Sequence, residues 1–168
     1  MSKLVLGIDP GTAITGYGLV AEEIDSLSLI AYGAIRTPAD ISLPERLRRI
    51  YEELGALVKK YRPAAIAIEK LFFGTNARTA LAVGQARGVC LLAGAQAGLP
   101  IYEYTPLEVK QSVAGYGRAT KDQVQQMVRV LLNLESIPQP DDAADAIAVA
   151  ICHLHTVHIL PDTPGDFN

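Results

Sequence analysis

Long apolar runs are missing from this sequence of 168 residues. The longest, Val89 to Ala97, is interrupted by Gly94 and Gln96 and falls short of the roughly 20 residues a bilayer-spanning helix requires. A basic-then-apolar leader is also missing, because Lys3 runs directly into a strand-like segment, so a cytoplasmic protein with no membrane role is expected. Repeats, linkers and low-complexity segments are absent. With 49% hydrophobic and 20% charged residues the composition is globular. The length suits one domain, expected over residues 1–155, with 156–168 as a poorly ordered tail. Cysteine is scarce: Cys90 and Cys152 lie in apolar, helix-like surroundings without metal-ligand spacing and read as buried reduced thiols. His153, His155 and His158 follow a helical run near the C-terminus, where a surface helix end explains them about as well as metal ligation.

Net positive charge is lacking too, which looks wrong for a nucleic-acid enzyme until the total of −3 is divided along the chain. Residues 62–121 hold 7 basic and 3 acidic residues, whereas residues 122–168 hold 1 and 7. A basic middle and an acidic end are compatible with DNA binding if the acids are gathered in a site that cations fill.

What is present is an alternation of strand and helix signals. Leu4 to Ile8 is an apolar run ending at Asp9 and Pro10-Gly11-Thr12, a buried strand closed by a turn. Gly16–Ala21 and Leu27–Ile35 complete a three-strand meander across the acidic turn Glu22 to Asp25. From Pro44, apolar residues recur at helical spacing through Tyr61. Ala64–Ile68 is a strand signal closed by Glu69. Asn76 caps an Ala/Leu/Gly-rich helix to about Gln96, Ile101–Tyr104 is a strand, Pro106–Val113 is a helix, and Thr120 caps a helix over 121–133. Gly115-Tyr116-Gly117 is a mobile or tightly turned link, and a last helix covers Asp141–His155. The pattern predicts an α/β domain whose mixed sheet of about five strands joins an antiparallel meander to parallel strands, with flanking helices.

Functional residues in such sheets collect beyond the carboxyl ends of strands, where Asp9 and Glu69 fall. Asp142 and Asp145, at i and i+3, share one face of the last helix, while Asp141 turns about 100° from Asp142. Taken singly these are a turn former, a strand end and an acidic helix start. Together they form a set of oxygen ligands for divalent cations, since clustered carboxylates without a counter-ion repel one another. The alanines at 143, 144, 146 and 148 permit close docking of that helix on a sheet. Phe72-Phe73, before Gly74-Thr75-Asn76, reads as an aromatic loop suited to stacking on splayed bases, although each Phe could equally pack in the core. Lys70, Arg78, Arg87, Lys110, Arg118 and Lys121 could neutralise phosphates or merely solvate the surface. Lys121 follows a Thr cap, an awkward place for a cation without an anionic partner.

Leu6-Gly7-Ile8-Asp9-Pro10-Gly11-Thr12 followed by Thr15-Gly16-Tyr17-Gly18 resembles the opening motif of the bacterial RuvC-type Holliday junction resolvases. So do Ile68-Glu69 with Phe72, Gly84-Gln85-Ala86-Arg87-Gly88, Val109-Lys110-Gln111 and Asp142-Ala143-Ala144-Asp145-Ala146, in matching order up to about His155. The resemblance implies an RNase H-like fold, a homodimer, and paired nicking of a four-way DNA junction in recombination and repair. It implies metal ligands at Asp9, Glu69, Asp142 and Asp145 for two Mg²⁺ per subunit, with Mn²⁺ as a substitute. It also implies backbone contacts from Lys110 and Lys121, base contacts from Phe72, and branch-migration partners of RuvA and RuvB type. Rival readings are another RNase H-like nuclease with a different nucleic-acid substrate, a junction-binding scaffold, and a fragment of an actin or sugar-kinase ATPase, whose phosphate-binding opening is similar to Gly7–Thr12.

Overall fold

A computed structural model describes residues 3–70 and 76–157. Strand β1 (Lys3–Asp9) pairs antiparallel with β2 (Ile14–Glu22), which pairs antiparallel with β3 (Leu27–Arg36). On its other side β1 pairs parallel with β4 (Ala65–Glu69), and β4 parallel with β5 (Ile101–Tyr104), giving the order β3-β2-β1-β4-β5. This is the expected mixed five-stranded sheet.

The helices begin where side chains can satisfy free backbone N–H groups. Helix α1 (Leu43–Tyr61) starts at Ser42, whose side chain accepts from the Glu45 N–H. In α2 (Ala77–Gln96), Asn76 Oδ1 accepts from the N–H groups of Arg78 and Thr79. Capping boxes at Thr105/Glu108 and Thr120/Gln123 open α3 (Pro106–Ala114) and α4 (Lys121–Leu131). The 115–117 link turns tightly, with Gly115 at φ 88° and its N–H bonded to the Gln111 carbonyl. Helix α5 (Asp141–Val157) runs two residues beyond the expected His155.

Period-two alternation sends neighbouring strand residues to two separate cores. Leu6, Ile8, Leu19, Ile66 and Ile68 pack on one face with Ile50 and Leu54 of α1 and Ala86, Cys90 and Ala93 of α2. Val5, Val20 and Ala67 face the opposite way, against α5 with α3 and α4 outside it. By the same alternation Asp9 and Glu69 belong to the α5 face. That face is floored with glycine: a Cβ at Gly7 would lie 2.0 Å from the Ala146 carbonyl oxygen, and one at Gly16 2.0 Å from that of Asp142. With Ala143, Ala144, Ala146 and Ala150 all buried, α5 rests backbone-close on the sheet.

Cys90 and Cys152 are buried and free, their thiols pushed up by burial to about 12 and about 11. The histidines depart from a surface helix end. His153 is only 1% exposed, and its Nδ1 lies 2.7 Å from the Tyr104 hydroxyl. Burial lowers its pKa to about 4, leaving the ring neutral at pH 7. His155 is half-buried with Nδ1 3.1 Å from the Ser112 carbonyl oxygen, and His158 lies outside the described residues. The reason is that α5 is the central helix, so its last turns are still inside the α3/α5 packing.

Candidate active site

The site begins with register. Ile8 pairs with Ile68 across the parallel ladder, so the next residues, Asp9 and Glu69, end neighbouring strands side by side. Asp9 pairs with Gly16 on the other side, and Gly16 lies under the main chain of Asp142. The glycine floor therefore lowers the first turns of α5, with Asp142 and Asp145, onto the ends of β1 and β4.

The electrostatics follow from that convergence. Burial first, then the charges of Glu69, Asp145 and Asp142, push the Asp9 carboxyl up to about 8. It is held protonated and shares a hydrogen bond with Glu69. Glu69 is also raised, by burial and then by Asp145, with Asp9, Lys121 and Lys110 acting the other way. Asp145 is raised by burial, against the pull of Lys121, whose Nζ stands 3.2 Å from Asp145 Oδ2 and 3.5 Å from Asp141 Oδ2. Among the described residues no group of three or more His, Cys, Asp or Glu side chains is already drawn together as a cation cage. A protonated acid and a lysine ammonium instead hold the repulsion down. The donor set nonetheless suits hard divalent cations: carboxylate oxygens only, half-buried, with more negative than positive charge gathered around them.

A cleft of about 260 Å³ opens beside this cluster, lined by Glu69, Lys110, Lys121 and Asp145 on its polar side and by Val109, Val124, Ala148 and Val149 on its apolar side. Lys110 and Lys121 therefore stand with Glu69 and Asp145 around one cleft. Arg118 is exposed in the α3–α4 link and Arg78 in the first turn of α2, both outside the cleft lining. Phe72 and Phe73 lie outside the described residues. Arg87 departs from the phosphate-neutralising expectation: it is paired with Glu103 of β5 and only partly exposed, so its charge is already spent within the fold.

Three features of the site escape reading by motif alone. Gly16 and Gly18 alternate along β2 on the α5 face with Gly7 of β1 opposite Gly18, a signal that becomes visible only once strand parity is known. Thr12, just after Asp9, donates to the Ala82 carbonyl of α2 at 2.8 Å, and its own carbonyl accepts from the buried Thr37 hydroxyl at 2.5 Å. Asp141 accepts from Gln125 Nε2 at 3.3 Å, a link between α4 and α5.

The sequence profile of the family described as "Crossover junction endodeoxyribonuclease RuvC" matches residues 5–153. This chain belongs to the RuvC family. A RuvC of Desulfitobacterium hafniense is 60% identical over 157 residues, covering 94% of this chain and 95% of that one. The Heliobacterium modesticaldum RuvC is 61% identical over 154 residues, covering 92% and 95%. Among solved structures, T. thermophilus RuvC in complex with Holliday junction substrate superposes with a TM-score of 0.90 at 37% identity, covering 94% of this chain and 96% of that one. The yeast mitochondrial Holliday junction resolvase Ydc2 shares the fold at 14% identity, with a TM-score of 0.68 over 91% of this chain and 78% of that one. The mixed sheet with flanking helices is the RNase H-like fold that these RuvC-type structures share.

Proposed function

We propose that this chain is a structure-specific endodeoxyribonuclease that resolves four-way DNA junctions by paired nicks, with Asp9, Glu69, Asp142 and Asp145 holding two Mg²⁺ or Mn²⁺ ions. The observation that carries this reading is the mutual electrostatic coupling of Asp9 with Glu69, Asp145 and Asp142, beside a cleft that Glu69 and Asp145 line together with two lysines. RuvC family membership supplies the substrate class, because its relatives carry the name crossover junction endodeoxyribonuclease.

The chemistry divides between the ions and the chain. When bound, divalent cations supply Lewis acidity, lowering the pKa of water and offsetting charge on a phosphodiester in transit. The chain's part is geometric and electrostatic. Asp9 and Glu69 are carried by neighbouring strands, and Asp142 and Asp145 by a helix seated on glycine, so the backbone positions are fixed and only side chains need turn to meet an ion. Lys110 and Lys121 bring positive charge to the cleft, where it offsets developing negative charge on the scissile phosphate. The apolar floor of Val109, Val124, Ala148 and Val149 keeps part of the cleft dry and strengthens those interactions. Arg78 and Arg118 would follow the flanking backbone, and Phe72 with Phe73 would stack on bases unpaired at the crossover.

The same reading includes a homodimer, which places two active sites on two strands. Its support is an uncharged exposed stripe on α2, Ala77, Leu81, Gly84, Gly88, Leu92 and Ala95, with Leu81 65% and Leu92 52% exposed. A Cβ at Gly84 or Gly88 would meet nothing within 4 Å, leaving room for a second helix to approach closely. Partners of RuvA and RuvB type belong to this reading through the family. Among the described residues no helix is long and apolar enough to cross a membrane.

The test is cleavage of a synthetic four-way junction, an RNA–DNA hybrid and a linear duplex by the wild type and by D9N, E69Q, D142N and D145N. Junction-selective cutting that is lost in all four variants while junction binding persists is expected. Cutting of the hybrid in preference, or retained cleavage in a variant, removes the substrate or that residue's role.

A further inference from the structure

Lys121 has a placement problem that the four acids do not solve. As the first residue of α4 it lies at the positive end of the helix dipole, where a cation is disfavoured without an anionic partner. Its Nζ stands between Asp145 Oδ2 at 3.2 Å and Asp141 Oδ2 at 3.5 Å. On the reading above, Asp145 is a cation ligand, and a carboxylate engaged by a divalent ion attracts an ammonium far less. Asp141 is the other partner and is not one of the four proposed ligands, so its carboxylate stays available to the ammonium. It is itself held, because Gln125, a buried side chain one turn along α4 from Lys121, donates through Nε2 to Asp141 Oδ1 at 3.3 Å. One oxygen of Asp141 is thereby taken by Gln125 and the other faces Lys121.

We propose that Asp141 is a positioning residue for the active site: braced by Gln125, it keeps the Lys121 ammonium over the cleft when Asp145 is committed to a divalent ion. This rests on the proposed function, and in particular on Lys121 acting on the scissile phosphate. Asp141 touches neither substrate nor ion; it acts through Lys121. The side chains of Lys121 and Asp141 are 56% and 58% exposed, so the pair is solvent-screened and its effect is a moderate one.

The experiment is a double-mutant cycle on single-turnover junction cleavage in Mg²⁺, with D141N, D141E, K121A and D141N/K121A, combined with trace acetylation of Lys121 by acetic anhydride in the Mg²⁺-loaded protein without DNA. D141N is expected to slow cleavage about three- to fivefold with junction affinity unchanged, and D141E to restore most of the rate. In the K121A background D141N is expected to cost nothing more, and Lys121 to acetylate faster in D141N than in the wild type. A D141N effect that multiplies with that of K121A overturns the proposal, because Asp141 then acts independently of Lys121. Unchanged acetylation, or full activity in D141N while K121A is impaired, also overturns it. If K121A itself cuts at the wild-type rate, the failure lies in the role given to Lys121, on which the proposal stands.

Discussion

Gly16 lies directly beneath the main chain of Asp142, so close that a Cβ there would fall 2.0 Å from the Asp142 carbonyl oxygen. Because Gly16 is also the ladder partner of Asp9, this one contact sets the distance between a strand acid and a helix acid. Replacing Gly16 by Ala must lift the start of α5 or bend β2. Overpacking of this kind costs roughly 1–3 kcal/mol, or a melting temperature lower by about 3–10 °C. A displacement near 1 Å at the ligands lowers cleavage by about 100-fold. Thermal melts and single-turnover cleavage of G16A check this; a variant that melts and cuts like the wild type contradicts the account.

Asp9 is expected to be a liability to the fold whenever cations are withheld. Its carboxyl ordinarily titrates near 3.8 and is pushed up to about 8 in the folded state. Between those values the unfolded chain ionises the group and the folded chain does not, so stability from this residue falls as pH rises through that window. D9N removes the conflict. In EDTA at pH 8 it should melt about 2–6 °C above the wild type, equivalent to about 1–2 kcal/mol. Added Mg²⁺ should raise the wild type and leave D9N unmoved. A D9N protein less stable than the wild type in EDTA would speak against a strained acid cluster.

His153 gives a pH dependence of its own, far from the acids. The neutral ring shares a hydrogen bond with the Tyr104 hydroxyl, whose own pKa is raised by burial, and ring centroids place Tyr102 4.4 Å away. Above pH 6.5 both folded and unfolded states hold it neutral and nothing changes with pH. Between 6.5 and about 4 only the unfolded state takes up the proton, so stability falls as pH is lowered, by up to about 3 kcal/mol. Urea midpoints at pH 7 and pH 4.5 for the wild type and H153Q measure this. The wild-type advantage over H153Q should shrink toward acid, and a gap independent of pH would show that His153 is not held neutral.

The α2 stripe predicts its own variants. Leu81→Glu and Leu92→Glu place charge on an exposed surface of the monomer and within the proposed contact of the dimer. Sedimentation velocity should show a dimer for the wild type and monomers for both variants, with little change in helical content. Dimers in both variants would move the interface elsewhere.

Much of this was legible because local chemistry and tertiary structure agree. Asn76 and Thr120 cap the helices they precede, and β5 has the expected bounds. The two strand acids could be placed at strand ends by apolar runs that stop at them, and Asp141 could be separated from Asp142 by helix angle alone. Other features depend on partners distant in sequence. Arg87 looks like a phosphate ligand until Glu103 arrives from β5, and His153 looks terminal until Tyr102 and Tyr104 of the same strand pack against it. The Thr12–Ala82 bond spans 70 residues and has no local signature. The same holds for the Gln125–Asp141–Lys121 chain, which exists only because α4 docks beside α5.

The central claim is that four acids brought together from two strands and one helix share divalent cations. The most direct measurement is anomalous diffraction from crystals of this protein grown with Mn²⁺. Anomalous peaks coordinated by Asp9, Glu69, Asp142 and Asp145 are expected, with Lys121 drawn to Asp141. Crystals in which Mn²⁺ binds elsewhere, with Asp9 still bonded to Glu69 and Asp145 still paired to Lys121, would rule the shared cation site out.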